Sequence, residues 1–214
     1  KIAMVCYPTF GGSGVVATEL GKALAARGHK IHFITYNTPV RLGSFKPGIF
    51  YHEVRVSDYP LFDYPPYELV LASKMVEVVK DHDIDLIHVH YAIPHASAAI
   101  TAKKILAEEG INLPIVTTLH GTDITLLGKD ISFEPVISFA INKSDAVTAV
   151  SEDLKSETNK LFGVNKEIEV VPNFFCPNHL SIEADEEFRL KIAPDCQPIL
   201  THISNFRPVK RVLD

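Results

Sequence analysis

An α/β fold, a Rossmann-like parallel sheet with helices on both faces, is predicted by three observations. Short apolar runs of strand length alternate along the chain with longer stretches of helical apolar spacing. The first run passes into the first helical stretch through a glycine turn, Gly11-Gly12-Ser13-Gly14. Apolar residues make up 46% and charged residues 22% of the 214, enough to bury a sizeable core.

Taken in order, Ile2 to Tyr7 reads as a buried strand. A helix from about Ser13 to Arg27 follows, with Val16, Leu20, Ala23 and Leu24 on one face and Gly28 placed to end it. Ile31–Thr35 is the second strand and Phe50–Val56 the third, separated by a loop rich in Pro and Gly. Asp58–Pro66 is aromatic and Pro-rich, hence a loop, and Tyr67–Lys80 is a helix. Strands are then expected over 85–90, 114–120, 146–150 and 167–171, with helices over about 96–109 and 135–142 between the first three. Ser151 caps one more helix, with Glu152 and Asp153 in its first turn. After Pro172 the character changes. Residues 1–172 are expected to form one Rossmann-like domain and 173–197 a linker with a short helix. Residues 198–214 should be the first strand and loop of a second such domain.

The formal net charge is −5, and no block of Lys or Arg stands out, which argues against a nucleic-acid or anionic-membrane partner. No apolar run has the length of a membrane span. The opening Lys1-Ile2-Ala3-Met4-Val5 is a strand and not a signal peptide. Three widely spaced cysteines, Cys6, Cys176 and Cys196, suit a reducing compartment better than a disulfide framework, so a cytoplasmic location is expected.

In open parallel sheets, ligands sit beyond the carboxyl ends of the strands. The glycine turn lies there, and Gly12-x-Gly14-x-x-Ala17 matches the loose dinucleotide pattern. A dinucleotide site wants an acid after the second strand, whereas this chain has Thr35-Tyr36-Asn37. A glycine turn that serves packing alone is the plainer alternative. Tyr91, the stretch His120-Gly121-Thr122-Asp123, and Ser151-Glu152 occupy later strand ends, and His120 beside a glycine would set an imidazole at the crevice. His88, His90 and His95 suggest a metal cluster, but no Cys or carboxylate completes a known ligand spacing. Asp81-His82-Asp83 and Asp83-Ile84-Asp85 match a metal-binding Asp-x-Asp pattern formally, yet precede a strand, at the wrong edge of the sheet. Cys6 reads as a small core residue.

Taken together, Gly11-Gly12-Ser13-Gly14, Leu119-His120-Gly121-Thr122-Asp123, Val150-Ser151 and Val171-Pro172-Asn173 make the chain resemble the N-terminal half of family 4 retaining glycosyltransferases of the GT-B fold. The wording of Cys6-Tyr7-Pro8, His88 to His95, Thr117 to Asp123 and Ile203 to Arg211 is similar to the bacillithiol-pathway branch of that family. The resemblance implies transfer of N-acetylglucosamine from UDP-N-acetylglucosamine to L-malate with retention, and no cofactor or essential metal. It also implies small-molecule substrates as the only partners, apart from association of copies through this half. His120 would be catalytic, stabilising positive charge at the anomeric centre. Gly12, Ser13, Asn205, Arg207 and Lys210 would meet the donor phosphates, and Ser13, Tyr91, Thr118, His120 and Thr122 the acceptor. Lys210 matches the family lysine, while Asn205 stands at the family's arginine position and Arg207 is the nearest replacement charge. Because the donor motifs of the second domain are not among these residues, the chain alone is expected to be inactive. Two other readings stay open: a nicotinamide-dependent oxidoreductase, and a non-catalytic sugar- or anion-binding module.

Overall fold

The structure, a computed structural model, describes residues 1–43, 46–57, 60, 63–175, 185–195, 197–204, 206 and 210–213. The chain divides into two compact units, Lys1–Phe175 and Cys176–Asp214.

Among the described residues the first unit holds seven strands: β1 (Ile2–Val5), β2 (Ile31–Thr35), β3 (Ile49–Glu53), β4 (Leu86–His90), β5 (Ile115–Leu119), β6 (Ala146–Ala149) and β7 (Ile168–Val170). All pair in parallel, in the order β3-β2-β1-β4-β5-β6-β7. The order reverses at β1, so the connections leaving β1 and β4 diverge and open a crevice between their carboxyl ends. The helices of this unit are α1 (Gly12–Ala26), α2 (Tyr67–His82), α3 (Ser97–Glu108), α4 (Glu134–Lys143) and α5 (Glu152–Leu161).

The central strands β1, β2, β4 and β5 are largely buried on both faces, which is why they read as near-continuous apolar runs. One face carries Met4, Cys6, Ile31 and Phe33 against α1, where Ala17 is fully buried. Gly21 lets α1 approach closely, since a Cβ there would lie 2.4 Å from the Phe33 ring. The other face sets Ala3, Val5, Ile34, Ile87 and Val89 against Leu71, Met75 and Val78 of α2 and Ala98, Ala102 and Leu106 of α3.

Local chemistry sets the element ends. Gly28 at φ +94° ends α1, its N–H bonding to Ala25 O at 3.0 Å while His29 N–H reaches Leu24 O at 3.2 Å. Ser151 Oγ accepts from the Leu154 N–H at 3.2 Å and starts α5. Short irregular helical turns follow β4 and β5: Ala92–Ala96, a wide π-type turn broken at Ile93, and Thr122–Leu126, another wide turn that tightens into Leu127–Lys129. The second unit contains α6 (Glu186–Ile192), capped by Asp185 through the Phe188 N–H at 2.8 Å. The strand expected from residue 198 does not form among the described residues; Leu200 and Ile203 are exposed, with no ladder partner to define one.

Candidate active site

The crevice between β1 and β4 is built from three loops. The first follows β1 and enters α1. A Cβ on Gly14 would lie 2.4 Å from Tyr7 O and 2.5 Å from Thr9 O, so only glycine lets this loop fold back onto the helix. Gly12 is different: nothing lies within 4 Å of the place its Cβ would occupy, and the residue is exposed. Gly11 precedes the helix without a side-chain cap, and the first intrahelical bond runs from Val15 N–H to Gly11 O. The N–H groups of Gly12, Ser13 and Gly14 therefore lie outside the helix ladder, at its positive end.

The second loop follows β4. Tyr91 has φ +92°, a conformation that costs a non-glycine residue about 1–3 kcal/mol. Its surroundings hold it there. Its hydroxyl donates to Ser13 Oγ at 2.9 Å, and its ring stands edge-on to Tyr7 at 5.3 Å. The third loop follows β5, where Gly121 at φ +110° turns the chain. Asp123, fully buried, accepts from the Gly121 N–H at 3.1 Å and the Ala92 N–H at 3.0 Å, so one carboxylate ties the β5 loop to the β4 loop.

Histidines fill the space beneath these loops. His90 and His120 are joined Nδ1 to Nε2 at 2.8 Å, and His90 Nε2 meets Met4 Sδ at 3.3 Å. The His120 ring lies 5.4 Å from that of Tyr91. Burial pushes the His120 imidazole down to about 4, with His88 and His95 adding to the effect. Burial likewise holds His88 and His95 at about 4 and His90 well below its ordinary value. These imidazoles are neutral at pH 7. They can donate or accept hydrogen bonds, but they do not store a proton for acid catalysis.

Gly12, Ser13, Tyr91 and His120 thus converge, as expected from their strand-end positions. Thr118 is placed differently: it is buried in β5, its Oγ1 bonded to His88 Nε2 and to Thr148 Oγ1, each at 2.8 Å. With His88 and His90 it lines a half-open pocket of about 300 Å³ on the α1 face, also lined by Val16, Leu20 and Phe174. Thr122 is exposed at the start of the turn after Gly121. Lys210 is exposed in the second unit, and Asn205 and Arg207 lie outside the described residues. His88 and His90 stack at 4.7 Å, while His95 turns away and bonds through Nδ1 to the His90 carbonyl, so the three do not assemble a ligand set. Cys6 is buried and its thiol is pushed up to about 12, which makes it inert as a nucleophile.

Sequence reasoning did not bring Tyr7 to the crevice or give Asp123 its stapling role, and it considered His95 only as part of a metal cluster. A short acid two residues after a turn glycine signals a side chain that bonds back to the backbone, and that was the available clue for Asp123.

The sequence profile described as Glycosyltransferase Family 4 matches residues 10–178. The N-acetyl-alpha-D-glucosaminyl L-malate synthase of Bacillus anthracis is 52% identical over all of this chain, which covers 56% of that enzyme. An uncharacterized glycosyltransferase of Methanocaldococcus jannaschii is 27% identical over 77% of the chain and 46% of its own length. The chain therefore spans about half the length of these curated relatives. A sucrose-phosphate synthase of Thermosynechococcus elongatus superposes with a TM-score of 0.63 at 18% identity, over 91% of this chain and 53% of that one. A glycosyltransferase of Rickettsia africae superposes at 0.62 and 22% identity, over 89% and 48%. Those two likenesses establish the Rossmann-like fold of GT-B glycosyltransferases. The profile match over most of the chain goes further: this chain belongs to Glycosyltransferase Family 4.

Proposed function

We propose that this chain is the acceptor-binding half of a retaining glycosyltransferase that moves N-acetylglucosamine from UDP-N-acetylglucosamine to L-malate. The observation that carries the reading is the 52% identity, sustained over the whole chain, with the malate synthase of Bacillus anthracis. The crevice suits the chemistry. Malate is a dianion, and free N–H groups at the start of α1 are apt partners for a carboxylate or phosphate. Ser13 and Tyr91 offer hydroxyls to orient the acceptor. A neutral His120 sets a lone pair, and not a competing positive charge, beside a sugar carbon that turns cationic in the transition state. In this reading Thr118 and Thr122 complete the acceptor side, and Asn205, Arg207 and Lys210 begin the donor side in a second Rossmann-like domain starting near residue 198. The reaction needs no metal, copies associate through this half, and the enzyme works in the cytoplasm. No described helix is long and apolar enough to cross a membrane.

The test is calorimetric titration of the chain with L-malate, with and without UDP-N-acetylglucosamine. Saturable malate binding that Ser13→Ala and His120→Ala weaken by about tenfold each is expected, each removing roughly one hydrogen bond's worth of affinity. Absence of malate binding under both conditions refutes the acceptor reading. Turnover by this chain at the rate of a two-domain enzyme refutes the placement of the donor contacts.

A further inference from the structure

A second group of histidines lies at the other end of the sheet, and neither the crevice nor the family assignment uses it. His32 is the second residue of β2, His52 the fourth of β3 and His82 the last of α2. The strand register pairs His32 with Phe50 and Ile34 with His52, so both histidines point to the α2 face. α2 then lays its C-terminal residue against them. One nitrogen from each of the three imidazoles falls within 4.8 Å of the others. His32 Nδ1 and His52 Nε2 are 2.9 Å apart, their rings stacked at 5.2 Å, and His82 tilts against both at 4.8 and 4.9 Å.

We propose that His32, His52 and His82 form a binding site for one divalent ion of the zinc class. Four features support it. Three imidazoles drawn from three elements match the protein ligand set of a site that keeps one open position. Imidazole favours zinc and its late-transition neighbours over magnesium or calcium. Burial favours the neutral, metal-binding form of two of them, His32 and His52. His32 is 3% exposed and is pushed down to about 4, by burial first and then by His52, His82, Lys1 and the α-amino group, and His52 is lowered by burial and by His82 and Lys74. The ion would also sit at the carbonyl end of α2, where the helix dipole favours positive charge.

The neighbouring cations that act against positive charge here are each paired with an acid. Lys1 pairs with Asp83, the α-amino group with Asp85, and Lys74 with Glu77. Glu77 and Asp81 act on His52 in the sense that favours a cation. Phe50 stacks on His32 at 4.6 Å and walls off one side. Metal–nitrogen bonds of about 2.0–2.1 Å in a tetrahedral site put ligand nitrogens roughly 3.3 Å apart. The His32–His52 pair would open by a few tenths of an ångström, within side-chain freedom. The Asp81–Asp85 segment thus contributes through His82, and not through the Asp-x-Asp pattern it formally matches.

The test is calorimetric titration of the chain with Zn²⁺ alone, followed by the imidazole nitrogen resonances. One equivalent should bind, and His52→Ala and His82→Ala should each weaken binding by about two orders of magnitude. His29→Ala, at an exposed histidine in the turn after α1, should change nothing. The same resonances, those of residues 32, 52 and 82, should shift. His82→Gln, at a helix end, serves if either alanine variant loses its far-ultraviolet dichroism. Stoichiometric zinc binding that survives both ligand substitutions, or shifts confined to His88, His90 and His120, overturns the proposal, as does no binding at millimolar zinc.

Discussion

Replacing Asp123 with alanine tests whether the crevice is held together by one buried carboxylate. The side chain is fully buried, with the Ala92 N–H at 3.0 Å and the Gly121 N–H at 3.1 Å as donors. Alanine leaves both donors without this partner, in a fully buried site. An unsatisfied buried group costs about 1–3 kcal/mol, so two cost roughly 4 kcal/mol. Against this stands relief of a desolvated carboxylate. Burial raises its pKa despite the backbone N–H bonds that lower it, so removing the carboxylate returns part of that cost. The net loss is about 3 kcal/mol, or roughly 6–12 °C in Tm for a domain of this size. The loops after β4 and β5 come apart together, so malate affinity falls with stability. Urea denaturation of wild type and D123A measures the first quantity and calorimetry the second. A stability loss under about 1 kcal/mol with malate binding intact would refute the staple.

The two glycines of the first turn should respond oppositely. Gly14→Ala forces a methyl to 2.4 Å from a backbone carbonyl and should cost about 3 kcal/mol, read from the urea midpoint. Gly12→Ala meets open space and should leave stability within about 0.5 kcal/mol while weakening malate binding, because the methyl stands where an anion approaches the N–H groups; equal stability loss in the two variants would sink this division of roles. Acid should unfold the chain early. His88 and His95 have folded pKa values near 4, below the unfolded value of 6.5, so the unfolded state binds more protons in that window. Stability is complete above about pH 6.5 and falls as pH drops toward 4, by up to about 1.4 kcal/mol per pH unit for each histidine. A urea midpoint that stays flat between pH 6.5 and 4.5 would contradict it.

The sheet was legible because a doubly covered parallel strand must be apolar nearly throughout, as in Ile2–Val5 and Ile31–Thr35. The cap at Ser151 and the stop at Gly28 were legible because each depends on one residue's own chemistry. What could not be read was whatever the register decides. Nothing local to Tyr91 announces a positive φ, because the Ser13 hydroxyl and the Tyr7 ring that hold it are 78 and 84 residues away. His32, His52 and His82 are unremarkable in sequence and meet only because β3 pairs beside β2 in one register and α2 ends above them. His88, His90 and His95 show the reverse, close in sequence but sent in two directions by the turn at Ala92–Ala96.

Met4 has a consequence for what the crevice can recognise. A thioether accepts protons and never supplies one, so the contact between Met4 Sδ and His90 is a hydrogen bond only with the proton on His90 Nε2. The other nitrogen, Nδ1, is then bare and accepts a hydrogen bond from the His120 Nε2–H. That leaves the lone pair of His120 on Nδ1. A sulfur in the middle of the first strand thereby sets the tautomer of the outermost imidazole and makes it an acceptor. It will favour ligands that present a hydroxyl to it and disfavour ligands that present a carbonyl. A Met4→Leu variant loses that preference while keeping every group that touches the ligand.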